Sequence, residues 1–311
     1  MAPRTGRFTG MRLASFIPPP GFATPPGDGV ADPAPRTGVV TTEGATLVDL
    51  TDPSVGLPGD MAALLQAGPN ALEAARAAPR SSARRFALGE VRLLAPVPVP
   101  PKFLAIGMNY RAHVAEMGRE PPAHQYWFNK QRTCVVGPGH PIVVPTVSEQ
   151  VDYEGELGVV IGRRAKGVPA SRWSEVVAGF TVVNDVSVRD FQALSPTFTL
   201  GKSFDTHGPT GPFVVSVDEI GDPSALGVRT WVNTELRQDS STADLIFTIP
   251  EMIECLTTAF TLEPGDILAT GTPSGVGAGS SPPRWLRPGD TVRIAVEGVG
   301  DLENPVEAEV A

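Results

Sequence analysis

A chain of 311 residues, 41% hydrophobic and 19% charged, can build one large core or an ordinary core with a smaller appended module. Its net charge of −9 and the absence of any basic run exclude nucleic acid as a partner, because phosphate affinity rests on clustered Lys and Arg. No stretch approaches the ~20 apolar residues of a membrane span, and Arg4, Arg7 and Arg12 precede no apolar run of the secretory kind. The expectation is a soluble, cytoplasmic protein with no membrane partner.

The 33 Pro and 33 Gly are spread without a period, which marks many turns between short elements and favours a β-rich fold. Residues 11–16 read as a strand. Pro18, Pro19, Pro20, Pro25, Pro26, Pro33 and Pro35 then make residues 17–37 a surface loop. Residues 38–42 and 46–50 read as a hairpin turning at Glu43 and Gly44. Ala- and Leu-rich turns at 61–65 and 72–78, parted by Gly68 and Pro69, read as helix. A short strand at 91–94 meets Pro96, Pro98, Pro100 and Pro101, a linker composition. It divides a small N-terminal module, 1–98, from a larger part, 99–311. In the larger part strands are expected at 103–106, 156–161, 179–183, 211–217, 229–233, 266–270 and 291–296. Residues 271–279 are glycine-dense but lack the strand-to-helix spacing of a dinucleotide fingerprint, so an NAD or ATP enzyme is not expected. Cys134 and Cys255 are too few and too far apart for a disulfide framework or thiolate cluster and read as ordinary buried thiols.

Asp152, Glu154 and Glu156 alternate, so on a strand they share one face while Leu157, Val159 and Ile161 fill the other. Alone, that pattern fits a solvated edge strand as well as it fits a site. The apolar segment 179–183 shifts the balance: it delivers Asn184 and Asp185 at its end, where an acid is costly to bury unless paired or metal-bound. Carboxylates converging from separate strands make a hard, oxygen-only site that suits Mg²⁺ or Mn²⁺ better than zinc. A helical turn over 186–192 would set Arg189 and Gln192 on the side of Asp185, with a surface Asp185–Arg189 pair as the plainer alternative. Lys202, otherwise a solvated loop lysine, would suit a substrate carboxylate if it lay beside such a metal. His113 and Glu116 lie three apart after Gly107-Met108-Asn109-Tyr110. The carboxylate could orient the imidazole as a general base, against the plainer reading of a surface hydrogen bond. His124, His140 and His207 have no such partner and read as structural or solvent-facing.

Taken in order, these pieces resemble the fumarylacetoacetate hydrolase family. The resemblance covers residues 100–311. It rests on Gly107-Met108-Asn109-Tyr110 with His113 and Glu116, on Asp152-Tyr153-Glu154-Gly155-Glu156-Leu157, and on residues 179–192 (GFTVVNDVSVRDFQ). It continues through Gly201-Lys202-Ser203-Phe204-Asp205, residues 208–212, residues 262–266 and residues 270–277 (TGTPSGVG). It implies an α+β, β-rich fold, a mixed β-sandwich roll with a small N-terminal α/β module, and usually a homodimer. It implies Glu154, Glu156 and Asp185 as ligands of Mg²⁺ or Mn²⁺, and Arg189, Gln192 and Thr272 beside Lys202 in the substrate site. His113 and Glu116 would form an acid/base dyad on a lid. Three departures stand out: Asn233-Thr234 where members often have Asn-Gly, no proline after Lys130, so Lys130 is not carried over as a substrate contact, and a proline-rich loop at 17–37 longer than usual. The implied reaction is hydrolysis of a carbon–carbon bond in a small 2-oxo acid of the acylpyruvate type, through an enolate, with His113 activating water. The same chemistry serves isomerisation of hydroxymuconate-like diacids or decarboxylation of oxaloacetate, and a non-catalytic metal-binding scaffold is the reading from outside enzymology.

Overall fold

The computed structural model describes residues 10–20, 34–41 and 46–310. Its centre is the strand Gly155–Ile161, antiparallel to Val177–Asn184 on one side and to Ile267–Ala269 on the other. An edge strand is thereby excluded. A β-branched run suits a strand buried on both faces, and every residue of Gly155–Ile161 is buried. Leu157, Val159 and Ile161 pack into one apolar cluster and Val160 into a second.

The sheet extends from Val177–Asn184 to Gly208–Ser216, then through Arg12–Ile17, Arg36–Val40 and Thr46–Asp49 to Arg85–Ala87. On the other side Ile267–Ala269 pairs in parallel with Phe103–Gly107, which pairs with Tyr126–Lys130. Strands from both sides of the 96–101 segment thus share one sheet, joined where Arg12–Ile17 meets Gly208–Ser216. A second sheet, Glu235–Ser241, Gly227–Val232, Thr291–Val296, Gly300–Ala308 and Ile142–Val144, covers one face. There Val228, Ile294, Val296 and Leu302 join the cluster of Leu157, Phe180 and Val182. Helices Met61–Gln66 and Pro69–Ala77 cover part of the opposite face, with Met61, Leu64 and Leu65 in the cluster of Val160, Val183 and Val214.

The hairpin of residues 38–50 forms with Gly38 opposite Asp49; its expected turn at Glu43 and Gly44 lies outside the described residues. So does most of the 17–37 loop, although its last two positions, Arg36 and Thr37, are already strand. The patterning did not reveal Glu235–Ser241 or the helix Ile249–Ala259. Cys134 is buried as expected, but Cys255 is exposed. It falls on the outward side of Ile249–Ala259, whose Ile249, Met252, Ile253 and Leu256 turn inward at helical spacing.

Candidate active site

Four loci converge at one end of the sheet. Val151–Asp152 and Gly155–Ile161 deliver Asp152, Glu154 and Glu156. The end of Val177–Asn184 delivers Asp185, tied to the first by two bonds: Asp185 N donates to Glu154 O at 2.9 Å and Glu154 N to the Asn184 side chain at 3.1 Å. Gly155 must be glycine, since a Cβ there would lie 2.1 Å from Thr230 Oγ1. The third locus is the turn after Ile267–Ala269, where Gly271 N donates to Glu156 Oε2 at 2.7 Å and Thr272 Oγ1 donates to Gly155 O at 3.1 Å. Gln238 holds Thr272, its amide donating to Thr272 Oγ1 at 2.8 Å. The fourth is the helix Arg111–Glu116. Asn109 anchors it, donating to Thr270 O at 2.9 Å and accepting from Phe247 N at 2.8 Å.

Glu154, Glu156 and Asp185 are buried and offer ligand atoms within 4.8 Å of one another. Buried cations hold them. Lys202 Nζ lies 2.7 Å from both Glu154 Oε2 and Asp185 Oδ2, Lys130 Nζ lies 2.7 Å from Asp185 Oδ1, and Arg189 reaches Glu154 Oε1 at 2.7 Å. Burial alone would raise the Glu154 carboxyl, but Lys202, Arg189 and His113 outweigh it and hold it well below the usual range. Glu156 has no cation of its own. Burial first, then Asp185 and Glu154, push it well above the ordinary glutamate value. A divalent cation fits this donor set, because the carboxylate that lacks a counter-charge is the one pressed against the other two.

Arg189 does not pair with Asp185, as a turn-spaced Asp–Arg pair would require. Its guanidinium is taken by Asp152, at 2.8–2.9 Å, and by Glu154, and it donates to Gln192 Oε1 at 3.0 Å. Asp152 is not one of the three converging acids: it also accepts from Gly277 N at 2.7 Å and Ala278 N at 2.9 Å, so it positions an arginine and a loop at once. Sequence reasoning passed over this role, and that of Lys130, because both partnerships join distant parts of the chain.

His113 Nδ1 lies 3.2 Å from Glu116 Oε2, while Glu116 Oε1 accepts from Gly275 N at 2.9 Å. A free surface pair is excluded, since the glutamate is itself fixed by the loop. His113 lines the same cavity of about 280 Å³ as Glu154, Glu156, Arg189, Gln192, Lys202 and Thr272. Asp185 is absent from that lining, behind Lys202. Of the other histidines, His207 is structural. It is buried against Val143 O at 2.8 Å, and burial pushes its imidazole down to about 4.

The family model described as fumarylacetoacetate (FAA) hydrolase C-terminal matches residues 102–307. This chain belongs to that enzyme family. Among curated relatives, the oxaloacetate tautomerase fahd2, mitochondrial, of Xenopus laevis is 39% identical over 276 residues, 88% of this chain and 86% of that protein. The oxaloacetate tautomerase YisK of Bacillus subtilis is 46% identical over 225 residues, 71% and 75% of the two chains. Among solved structures, maleylpyruvate hydrolase from Sphingobium sp. SYK-6, in complex with manganese(II) and pyruvate, superposes with a TM-score of 0.76 at 32% identity, covering 96% of this chain and all of that one. The relatives act on small 2-oxo acids by more than one reaction, and hydrolysis is not singled out among them. Among the described residues no helix is long and apolar enough to cross a membrane.

Proposed function

We propose that the protein interconverts the keto and enol forms of a small 2-oxo acid of the oxaloacetate kind, with Glu154, Glu156 and Asp185 holding Mg²⁺ or Mn²⁺. The observation that carries this is the His113–Glu116 pair set into the wall of the cavity that Glu154 and Glu156 line. Two of the relatives, 39% and 46% identical to this chain, are named oxaloacetate tautomerases, which supports the choice of reaction. When bound, the divalent ion supplies Lewis-acid polarisation of the 2-oxo group. With Nδ1 engaged by Glu116, Nε2 is the ring nitrogen left to take the C3 proton and return it, one proton leaving carbon as one is gained at the carbonyl oxygen. Gly275 N–H holds the Glu116 carboxylate so that the ring keeps one orientation. Lys202 and Arg189 fix the carboxylate oxygens of Glu154.

The test is decay of enol-oxaloacetate followed in the ultraviolet with protein loaded with Mg²⁺ or Mn²⁺. Wild type should accelerate the conversion, and His113→Ala should lower kcat by ~10²-fold or more. A wild-type rate in His113→Ala, or no acceleration by wild type, defeats the reading. Hydrolysis of an acylpyruvate is the second reading, favoured by the likeness to maleylpyruvate hydrolase, with the same dyad activating water. Release of pyruvate from acylpyruvates, without turnover of enol-oxaloacetate, would select it.

A further inference from the structure

The cavity's obvious cations are already committed. Arg189 spends its guanidinium on Asp152, Glu154 and Gln192, and Lys202 its ammonium on Glu154 and Asp185. Little of either is left for a ligand, the Arg189 side chain being 13% exposed and that of Lys202 3%. One further cation lines the same space: Arg119. Among the described residues it has no carboxylate partner, and its side chain is exposed. Its backbone is nonetheless fixed, because Gly118 turns the chain at a φ of 63° and Arg119 N donates to Val114 O at 3.0 Å, closing the helix that carries His113. Much of the remaining wall, Ile106, Met108, Met117, Phe128 and Phe198, is apolar.

An uncommitted guanidinium in a wall that also holds many apolar side chains has one evident use, since its planar fork matches a carboxylate. We propose that Arg119 receives a second, distal carboxylate of the substrate, so that the site selects 2-oxo dicarboxylic acids over monocarboxylic ones. This rests on the reading of the cavity as a 2-oxo acid site, and it adds a specificity-determining residue outside the motifs that define the dyad, the acids and the cations behind them. Because Arg119 N is bonded to Val114 O at the end of the helix that carries His113, engaging the distal carboxylate would also draw that helix toward the substrate.

The experiment compares oxaloacetate with 2-oxobutanoate, acids alike at the 2-oxo end and differing by carboxylate against methyl at the other. Each is titrated calorimetrically into the Mg²⁺-saturated full chain, wild type, Arg119→Gln and Arg119→Lys. Wild type should prefer oxaloacetate by about tenfold, Arg119→Gln should bring the ratio near one, and Arg119→Lys should keep part of it through its charge. A preference that survives Arg119→Gln, or a wild type without preference, overturns the proposal while leaving the 2-oxo acid reading intact. A wild type that binds neither acid defeats that reading and the proposal with it.

Discussion

Glu156→Gln should move two properties in opposite directions. Glu156 is 1% exposed and has no cation of its own, and its ligand oxygen lies within 4.8 Å of those of Glu154 and Asp185. At that separation a like-charge contact costs about 3 kcal/mol with an effective dielectric constant near 20. Lys202, Arg189 and Lys130 offset most of it by neutralising Glu154 and Asp185. A residual of about 1–2 kcal/mol is left for the metal-free protein, or about 1.5–3 °C in Tm for a chain of this length. The amide keeps an acceptor for Gly271 N and loses the charge. Glu156→Gln in EDTA should therefore melt higher than wild type. Because the folded-state value of Glu156 is raised, its share of stability is full below the ordinary glutamate value and is lost as pH rises through the raised one. The advantage of the variant should grow with pH. Metal reverses the order: a ligand at a hundred times its Kd adds about 2.7 kcal/mol to wild type, and the variant, short of one carboxylate, should gain little. Differential scanning calorimetry with EDTA and with Mg²⁺ reads both. A variant that melts lower than wild type in EDTA would refute the uncompensated charge, and an equal Mg²⁺ shift in both proteins would remove Glu156 from the metal site.

Asp152→Asn should cost about 3–5 kcal/mol, the range for breaking a buried ion pair, because both Asp152 oxygens meet only donors and an amide NH₂ must confront one of them. Urea unfolding checks it, and a midpoint unchanged from wild type sinks the account of that network. Native protein should show one fast-reacting thiol, Cys255, and a second only on unfolding, since burial pushes Cys134 up to about 11; two fast thiols in a timed thiol assay would contradict the packing around Cys134. His207 is held neutral by burial, depressed to about 4. Its contribution is complete above the unfolded histidine value, about 6.5, and is lost as pH falls toward 4. Thermal scans from pH 7 to 4 should show a shallower acid loss for His207→Gln than for wild type, and parallel slopes would remove His207 as a source of acid lability.

Among the parts of this fold that the sequence exposed are the central strands, whose burial is nearly uniform. Gly155–Ile161 and Val177–Asn184 announce themselves through β-branched runs, and Asp185 through the cost of an acid at the end of one. Glu235–Ser241 escaped because it is a sheet edge whose side chains are mostly polar and half out of the protein, so no alternation marks it. Ile249–Ala259 did carry a readable signal, Thr248 and Glu251 forming a capping box with Pro250 in the first turn. The acids of the site were legible one by one, whereas their counter-ions were not. Lys130 and Asp185 are brought together only by the sheet, and the Asp152–Arg189 bond depends on Val151–Asp152 lying beside Ser187–Val188. Local spacing suggested the wrong partner for Arg189 because a turn of helix is the nearest arrangement that a linear pattern can express.

The same pairing pattern bears on the order in which ligands arrive. Around the cavity five carboxylates, Glu116, Asp152, Glu154, Glu156 and Asp185, stand against three buried cations, Lys130, Arg189 and Lys202, and the exposed Arg119. The chain as a whole carries −9. Neither the local field nor the distant one favours an anion, so the metal-free cavity should reject a 2-oxo carboxylate, and a divalent ion should reverse the local sign. Binding is then ordered, metal before acid. Oxalate, which copies the planar end of an enolised 2-oxo acid, tests this without turnover. Titrated into chelator-treated protein it should release no heat of binding, and with free Mg²⁺ held constant it should bind and compete with substrate. Equal oxalate affinity with and without metal would mean that Lys202 and Arg189 serve the anion directly. Their bonds to Glu154 and Asp185 would then have to break on binding, and the charge argument would fail at its first step.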